Sequence, residues 1–518
     1  MAKKVALDAM IRRADFAQQD EATAVDLFER IHISQLDSKN PIAKILRKPD
    51  FQRETNHWTP EQVSTLIYSF ANGELIPSLI LWKSDSYLFV IDGGHRLSAL
   101  RAWVEDDYGN GPISNRFYSG EISDEQKTVA RRTRSLVEDR IGKYADFLKI
   151  DQDDETVPSK TKKMASNIFT RGIPIQWIQG NQEVAEASFF KINSQGTPLD
   201  KTEEILLRNR KKSYAIGARS IVRAGFGNKY WSNFDSTTQG KIETLSSEIH
   251  NLLFQPEAAT PFKTLDLPLG GTASPVEALK ILLDTFAIVE GFPDPDKRVR
   301  ELSDDPDGSE TVKMLSSMSR LSRRVTGTNS GSLGLHPAVY FYNEKGRHSR
   351  FFFLGIIRIF ADAIRNNDDQ FFKKFTDVRK DIENRLVAKK SLINQGLSNV
   401  NSRQRIDRMS NLMRGLISNF EKGIQVTDKD MLSLLGIEGR LGKLKIIDAP
   451  AGFSDETKAA IFLQDSIKKA LRCPICGGYL DPNKSVSYDH IQRRQDGGGG
   501  DAENGQLAHP YCNSAIKN

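Results

Sequence analysis

All three cysteines of the 518-residue chain, Cys473, Cys476 and Cys512, fall in its last 46 residues, where they bracket an Asp489-His490 pair. Cys473 and Cys476 form a Cys-x2-Cys pair, and His509 with Cys512 forms a His-x2-Cys pair. A two-residue gap in a tight turn lets both side chains face one ion, and four such ligands complete the tetrahedron of a structural zinc at about 2.0–2.3 Å. A segment this short buries too little apolar surface to hold itself together, so a metal crosslink has a physical purpose. A redox Cys-x2-Cys of the thioredoxin kind would sit in a βαβ pattern, and none surrounds Cys473.

Between the two ligand pairs lie Ser487-Tyr488-Asp489-His490-Ile491, a glycine run from Gly497 to Gly500, and Asn504; Asn513 follows Cys512 directly. The pattern expects a short strand that ends in a carboxylate and an imidazole, then a loop, then a helix start. In order and spacing, residues 473–514 resemble the HNH, or ββα-metal, nucleases. The resemblance implies that His490 is the general base that activates water, and that Asp489 and Asn513 hold one divalent cation, Mg²⁺ or Mn²⁺. It also implies that Asn504 fixes the loop and orients His490. An imidazole with an ordinary pKa near 6.5 suits such proton transfer at neutral pH, and a bound cation stabilises charge developing on a phosphate. Gln492 stands where the family often has proline, and His-x2-Cys replaces its usual second Cys-x2-Cys. His509 is therefore either a zinc ligand or a catalytic-metal ligand, and zinc is favoured because three cysteines leave a tetrahedron one ligand short. A zinc ribbon that only binds is the non-catalytic alternative.

Charge distribution constrains how such a module meets a polyanion. Residues 473–518 carry Lys484, Arg493, Arg494 and Lys517 against Asp481, Asp489, Asp496, Asp501 and Glu503, a net charge of −1 in a chain whose overall charge is +6. Basic charge lies elsewhere. Arg208, Arg210, Lys211, Lys212, Arg219 and Arg223 occupy a stretch without an acid, and twelve Lys or Arg face five Asp or Glu between Lys373 and Lys422. Such stripes are candidate phosphate contacts, or simply solvated helix faces.

Length alone suggests about three domains. A hydrophobic content of 38% with 27% charged residues is that of a soluble globular protein. No apolar run approaches the roughly 18 residues that cross a bilayer, and the start, Met1-Ala2-Lys3-Lys4, is not a secretory leader. With no cysteine outside the terminal segment, a reducing cytoplasm is the expected location. Residues 1–30 are expected as a helical N-terminal arm. An amphipathic helix is expected over 59–72, a hairpin from 78–82 and 87–91, and a helix over 96–104. From about 120 to 460 the pattern is helical, with breaks near 303–310 and 326–334, and there is no internal repeat.

The hairpin delivers a second constellation, Asp92-Gly93-Gly94-His95-Arg96, to a turn before a helix. Glycines permit close backbone approach, and a helix N-terminus offers free N–H groups to an anion. Asp92 and Arg96 are equally the residues of an ordinary helix-cap ion pair. Phe51-Gln52-Arg53, residues 77–82, residues 92–100 and the Phe190 to Leu199 block, which contains Asn193, occur in the order found in the ParB/sulfiredoxin-like superfamily. Residues 31–210 resemble its restriction-associated branch, whose domains carry a DGQQR-type motif, as in the GmrSD and SspE systems; here Gly94-His95 replaces Gln-Gln. The resemblance implies that Gln52, Arg53, Asp92, Gly93, Gly94, His95, Arg96 and Asn193 line a site that binds or hydrolyses a nucleoside triphosphate, or senses a modified DNA backbone or base.

The expected fold is α+β and multidomain. Residues 1–30 form the arm, 31–215 the ParB/sulfiredoxin-like α/β domain, 216–455 a largely α-helical middle, and 456–518 the zinc-stapled ββα HNH module. The expected function is a metal-dependent DNA endonuclease of antiphage restriction, gated by the N-terminal domain, with a homo-oligomer left open. The alternatives are a non-catalytic DNA-binding regulator with a zinc docking module and a nucleotide-gated RNA-cleaving toxin.

Overall fold

In the computed structural model the described residues are 4–14, 16, 28–49, 55, 58–84, 86–118, 120, 122–180, 184–186, 188–189, 192, 201–225, 231, 233–256, 258, 261–271, 275–398, 400–437 and 453–517. Contacts divide the chain into two compact units, Met1–Leu207 and, essentially, Arg208–Gly225 with Trp231–Asn518. The segment that carries the candidate zinc ligands thus clusters with the helical middle. Gln52, Arg53 and Asn193 lie outside the described residues.

The first unit is built on a mixed six-stranded sheet of β1 (Arg13–Ala14), β2 (Arg30–His32), β3 (Leu46–Pro49), β4 (Leu79–Lys83), β5 (Leu88–Asp92) and β6 (Gly172–Ile178), in the order β1-β3-β5-β4-β6-β2. β4 and β5 pair antiparallel as the expected hairpin, whereas β4 and β6 run parallel. Helix α1 (Pro60–Ala71) starts where its sequence says it should: Thr59 caps it and exchanges reciprocal hydrogen bonds with Gln62. α1, α2 (Gly94–Val104) and α3 (Asp124–Arg140) bury Val63, Ile67, Phe70, Leu97, Leu100, Val129 and Val137 in one core with Leu79, Leu81 and Val90 of the sheet.

The N-terminus departs from expectation. Val5, Leu7, Ala9, Met10 and Ile11 are core residues, followed by the short strand β1, so the described part of this segment is not a helical arm. The buried Asp8 carboxylate explains the difference, because it accepts from Arg13, from Lys48 Nζ at 2.8 Å and from the Thr55 amide at 3.1 Å. Lys48 and Thr55 lie 40 and 47 residues from Asp8, so no local periodicity announces them.

The second unit is helical: α4 (Ser213–Val222), α5 (Ser236–Phe254), α6 (Pro275–Glu290), α7 (Ser309–Val325), α8 (Arg350–Arg365), α9 (Asp369–Asp377), α10 (Arg379–Ala388) and α11 (Ser402–Glu421). α8, almost wholly apolar on its inner face, packs between α6 and α11, while α7 packs on α5. The break expected near 326–334 is a loop whose Ser332 and Gly334 meet the C-terminal module. No helix among the described residues is long and apolar enough to cross a membrane. The architecture is the expected mixed α and β arrangement.

Candidate nuclease and metal centre

The C-terminal module has little core of its own: Cys473, Leu480, Ala508 and Cys512 are its clustered buried residues, and two of these are candidate ligands. Cys473, Cys476, His509 and Cys512 come together with their ligand atoms within 4.8 Å of one another. His509 Nδ1 lies 3.3 Å from Cys476 Sγ and 3.7 Å from Cys512 Sγ. Those separations bracket the edge of about 3.5 Å that a tetrahedron with zinc-ligand bonds of about 2.0–2.3 Å requires. His509 Nε2 sits 2.9 Å from the Tyr479 carbonyl, an arrangement that places the proton on Nε2 and leaves the Nδ1 lone pair facing the sulfurs. Burial, reinforced by the charge of Arg379, lowers the His509 pKa and so favours the neutral imidazole that binds a metal. The Cys/His cluster fits zinc binding.

β7 (Ser487–His490) and β8 (Gly505–Ala508) pair antiparallel, with Asp489 opposite Gln506 and His490 opposite Gly505. The closing helix, Cys512–Ile516, lies beside them. Asn513 on this helix donates to Ser487 Oγ at 3.2 Å and to the Tyr488 carbonyl at 3.3 Å, which ties it to the strand one residue before Asp489. Asn504 is the loop clamp: its Oδ1 accepts from the Gln492 amide at 2.7 Å, and its Nδ2 donates to the carbonyls of Gly499 at 2.7 Å and Gln492 at 3.1 Å. The carbonyl of Asn504 accepts from the Ile491 amide at 2.8 Å, so the clamp grips the chain directly after His490. The His490 ring accepts at Nε2 from Arg494 Nε at 3.3 Å.

Two partners of Asp489 escaped the sequence reading. Gln506 Nε2 and Lys517 Nζ both donate to Asp489 Oδ2, each at 2.7 Å, while Oδ1 accepts no hydrogen bond among the described residues. Lys517 also donates to the His490 carbonyl. The signals were present but weak: Lys517 stands four residues after Asn513, on the same helix face, and Gln506 becomes a cross-strand neighbour only once the register is known. A carboxylate held by one oxygen and open at the other is suited to present the open oxygen to a cation.

The module is seated on the helical unit by buried polar contacts. Glu383 accepts from Arg379 Nε at 2.6 Å, from the Tyr340 hydroxyl at 2.8 Å and from the Tyr479 amide, and Arg379 also donates to the Leu333 and Gly334 carbonyls. Tyr479 is the residue whose carbonyl fixes His509. Ser485 Oγ donates to the Gly327 carbonyl at 2.7 Å, and the Tyr511 amide donates to the Ser332 carbonyl at 2.9 Å. Gly334, at φ +56°, leaves no room for a side chain, since a Cβ there would sit 2.8 Å from Ser485 Oγ and 3.1 Å from the His509 ring.

In the first unit Asp92, Gly93, Gly94, His95 and Arg96 line one pocket of about 470 Å³ with Thr55, Trp58 and Phe189. Gly93, at φ +91°, caps α2 in a left-handed conformation, and a Cβ there would lie 2.4 Å from Leu79 Cδ2. A register shift between Ile80 and Leu81 lies where β4 faces Asp92. Arg96 and Asp92 form the i,i+4 ion pair at 2.6 Å that the sequence also allowed, and His95 stacks on Trp58 with ring centroids 5.6 Å apart.

The basic stripes are largely committed to structure. In the stretch from Lys373 to Lys422, Lys374 pairs with Glu421, Arg385 and Lys389 with Asp428, Arg403 with Asp294 and Arg414 with Asp362, while Arg379 is buried. Lys390 caps three carbonyls, those of Ala338, Val339 and Tyr342. In the other stripe Lys212 donates to the Arg300 carbonyl at 2.7 Å, and most of α4 is buried. The solvated or structural helix face accounts for most of these charges.

Residues 26–210 match the family model of the GmrSD restriction endonuclease N-terminal domain, and residues 473–518 match that of the HNH endonuclease. No curated protein and no solved structure shows a significant match to the chain. The N-terminal α/β unit and the Cys/His-clustered C-terminal module thus carry the segments that match these two models, and the pair supports a nuclease activity.

Proposed function

We propose that this chain is a metal-dependent DNA endonuclease of antiphage restriction, gated by its N-terminal domain and working in the cytoplasm. The observation that carries the reading is the placement of Asp489, His490 and Asn513 on one strand and the facing helix, beside a Cys3His cluster that fits zinc. In this mechanism His490 takes a proton from water as the water oxygen bonds to the scissile phosphorus, while the P–O bond to one strand end breaks and that oxygen leaves to take a proton from solvent. Arg494 Nε, 3.3 Å from His490 Nε2, occupies that nitrogen's lone pair, so it moves aside before His490 accepts the proton there. Asn504 holds the chain just after His490 in register, and Gln506 with Lys517 keeps Asp489 Oδ1 open. Asp489 and Asn513 would hold Mg²⁺ or Mn²⁺, which when bound supplies charge stabilisation to the phosphate and leaving oxygen. Cys473, Cys476, His509 and Cys512 would hold zinc as scaffold.

The pocket of the first unit suits a base flanked by Trp58 and Phe189, with phosphates toward the Gly94 helix N-terminus and Arg96. A nucleoside triphosphate, bound or hydrolysed there, or a modified base of the target DNA meets that description. The decisive experiment is conversion of supercoiled plasmid to nicked or linear forms with Mg²⁺ or Mn²⁺, stopped by EDTA. His490→Ala is expected to lower the rate by about 10³-fold, within the usual range for a general base together with its positioning effect. Cutting by His490→Ala at the parental rate would refute the mechanism. Comparing plain with modified plasmid, with each nucleotide added in turn, tests the gate.

A further inference from the structure

The groove between α7 and α8 is the strongest unassigned surface of the second unit. It encloses about 510 Å³ and is lined by Ser316, Ser319, Arg320, Arg323, Arg324 and Asn329, together with Asn367, Asp369 and Phe372. Its charges divide by partner. Arg323 is bound to Glu248, whereas Arg320 is exposed and Arg324 makes its hydrogen bond to the Gly331 carbonyl at 3.0 Å; neither has a carboxylate partner among the described residues. Asp369 is the one carboxylate on the groove wall among the described residues. Arg320 and Arg324 stand one helical turn apart, about 6 Å along the axis of α7.

One end of the groove reaches the nuclease module. Arg324 lies over Phe372 at 4.5 Å and beside the Tyr511 ring at 5.7 Å, and Tyr511 is two residues before Asn513. Ser514 on the closing helix donates to the Ser330 carbonyl at the same rim. The module's own net charge of −1 gives it little attraction for a polyanion, and the sequence-visible basic stripes are mostly paired.

We infer that this groove seats the phosphate backbone of duplex DNA beside the scissile bond, with Arg320 as a direct phosphate contact and Arg324 as the cation at the entrance to the nuclease module. The exposed Asn367 amide supplies the neutral part of a sequence-independent grip, the Ser316, Ser319 and Asn329 donors being already bonded to Val312, Glu248 and Arg323. The inference rests on the DNA endonuclease reading and adds the surface that delivers the substrate.

The test measures binding of a short fluorescent duplex by anisotropy over a salt series, in the full chain carrying His490→Ala so that nothing is cut. Arg320→Glu is expected to weaken binding about tenfold or more at low salt, and Arg320→Ala to reduce the slope of log affinity against log salt by about 0.9, one phosphate's worth of counterion release. Lys422→Glu, an exposed charge that is not part of the groove lining, is the control and should change neither quantity. Arg320 is exposed, so its loss should leave folding intact, as a thermal melt will verify. Parental binding by Arg320→Glu at every salt concentration overturns the groove assignment. If that variant binds normally and the intact chain still cuts plasmid, only the groove falls; if the chain neither binds nor cuts DNA, the endonuclease reading falls with it.

Discussion

Glu383→Gln isolates what holds the nuclease module in place. Glu383 and Arg379 have side chains 0% and 1% exposed, and the glutamate collects Arg379, Tyr340 and the amide of Tyr479. The substitution preserves shape but leaves the guanidinium without its counter-charge. Breaking a buried pair by removing one partner costs about 3–5 kcal/mol, mostly the penalty of an uncompensated charge. The glutamine oxygen still accepts one hydrogen bond, which places this change toward the lower end, about 3 kcal/mol. Against a typical total of about 5–15 kcal/mol, that is a large fraction of the unit's stability. The assay is urea denaturation of the full chain read together with release of zinc to a chromogenic chelator, and hydrogen exchange of residues 333–340 and 473–485. Both the denaturation midpoint and zinc retention should fall, with exchange rising in both segments. Replacing both partners by apolar residues, Arg379→Met with Glu383→Leu, should cost more than Glu383→Gln alone, because the Leu333 and Gly334 carbonyls, the Tyr340 hydroxyl and the Tyr479 amide all lose their partner. An unfolding free energy within about 1 kcal/mol of the parent with unchanged zinc release would refute the argument, since that loss is what an exposed pair gives.

Further outcomes follow from other parts of the structure. Elemental analysis should find one zinc per chain, and Cys476→Ser should lose it and lower the melting temperature, because metal binding here is folding free energy. Gly93→Ala should destabilise the first unit by about 1–2 kcal/mol from its left-handed backbone alone, with the clash against Leu79 adding to this, as a thermal melt would show. Burial lowers the His336 pKa to about 4, so the imidazole is neutral when folded. Once unfolded it takes up a proton near pH 6.5; the unfolded state therefore binds more protons between those values, and stability should fall as pH drops from about 6.5 to about 4. The full effect is about 3 kcal/mol, and His336→Phe should flatten that part of a urea-midpoint against pH curve.

Local chemistry was legible in the sequence and remote pairing was not. The Cys-x2-Cys and His-x2-Cys spacings, the Asp489-His490 strand, the 78–91 hairpin and the Thr59-capped helix each depend on residues a few positions apart. The structure places them as that spacing implies. Asp92 and Arg96 were legible twice over, as a pocket wall and as an ion pair, and the structure contains both. Val5 to Ile11 gave no such signal, because what makes them core is Asp8 meeting Lys48 and Thr55. Arg379 and Glu383 look like any i,i+4 surface pair in a basic stripe, and only the seat of Tyr479 above them shows that they are interior. Arg320 and Arg324 look like the polar face of an amphipathic helix until Tyr511 is found beside them.

The contacts of Tyr479, Ser485 and Tyr511 with the helical unit have a consequence for where cuts can fall. A nuclease head on a free tether samples many positions along a duplex. Here the backbone that orients His509 is itself held by Glu383, so on the proposed reading His490 stands at a set offset from DNA seated against α7 and α8. The helical unit then works as a ruler, and its products should share a narrow distribution of distances from the gripped site. The same seat makes the head a poor graft: residues 473–517 moved to another protein would carry a Tyr479 amide and a Tyr511 amide whose acceptors stayed behind.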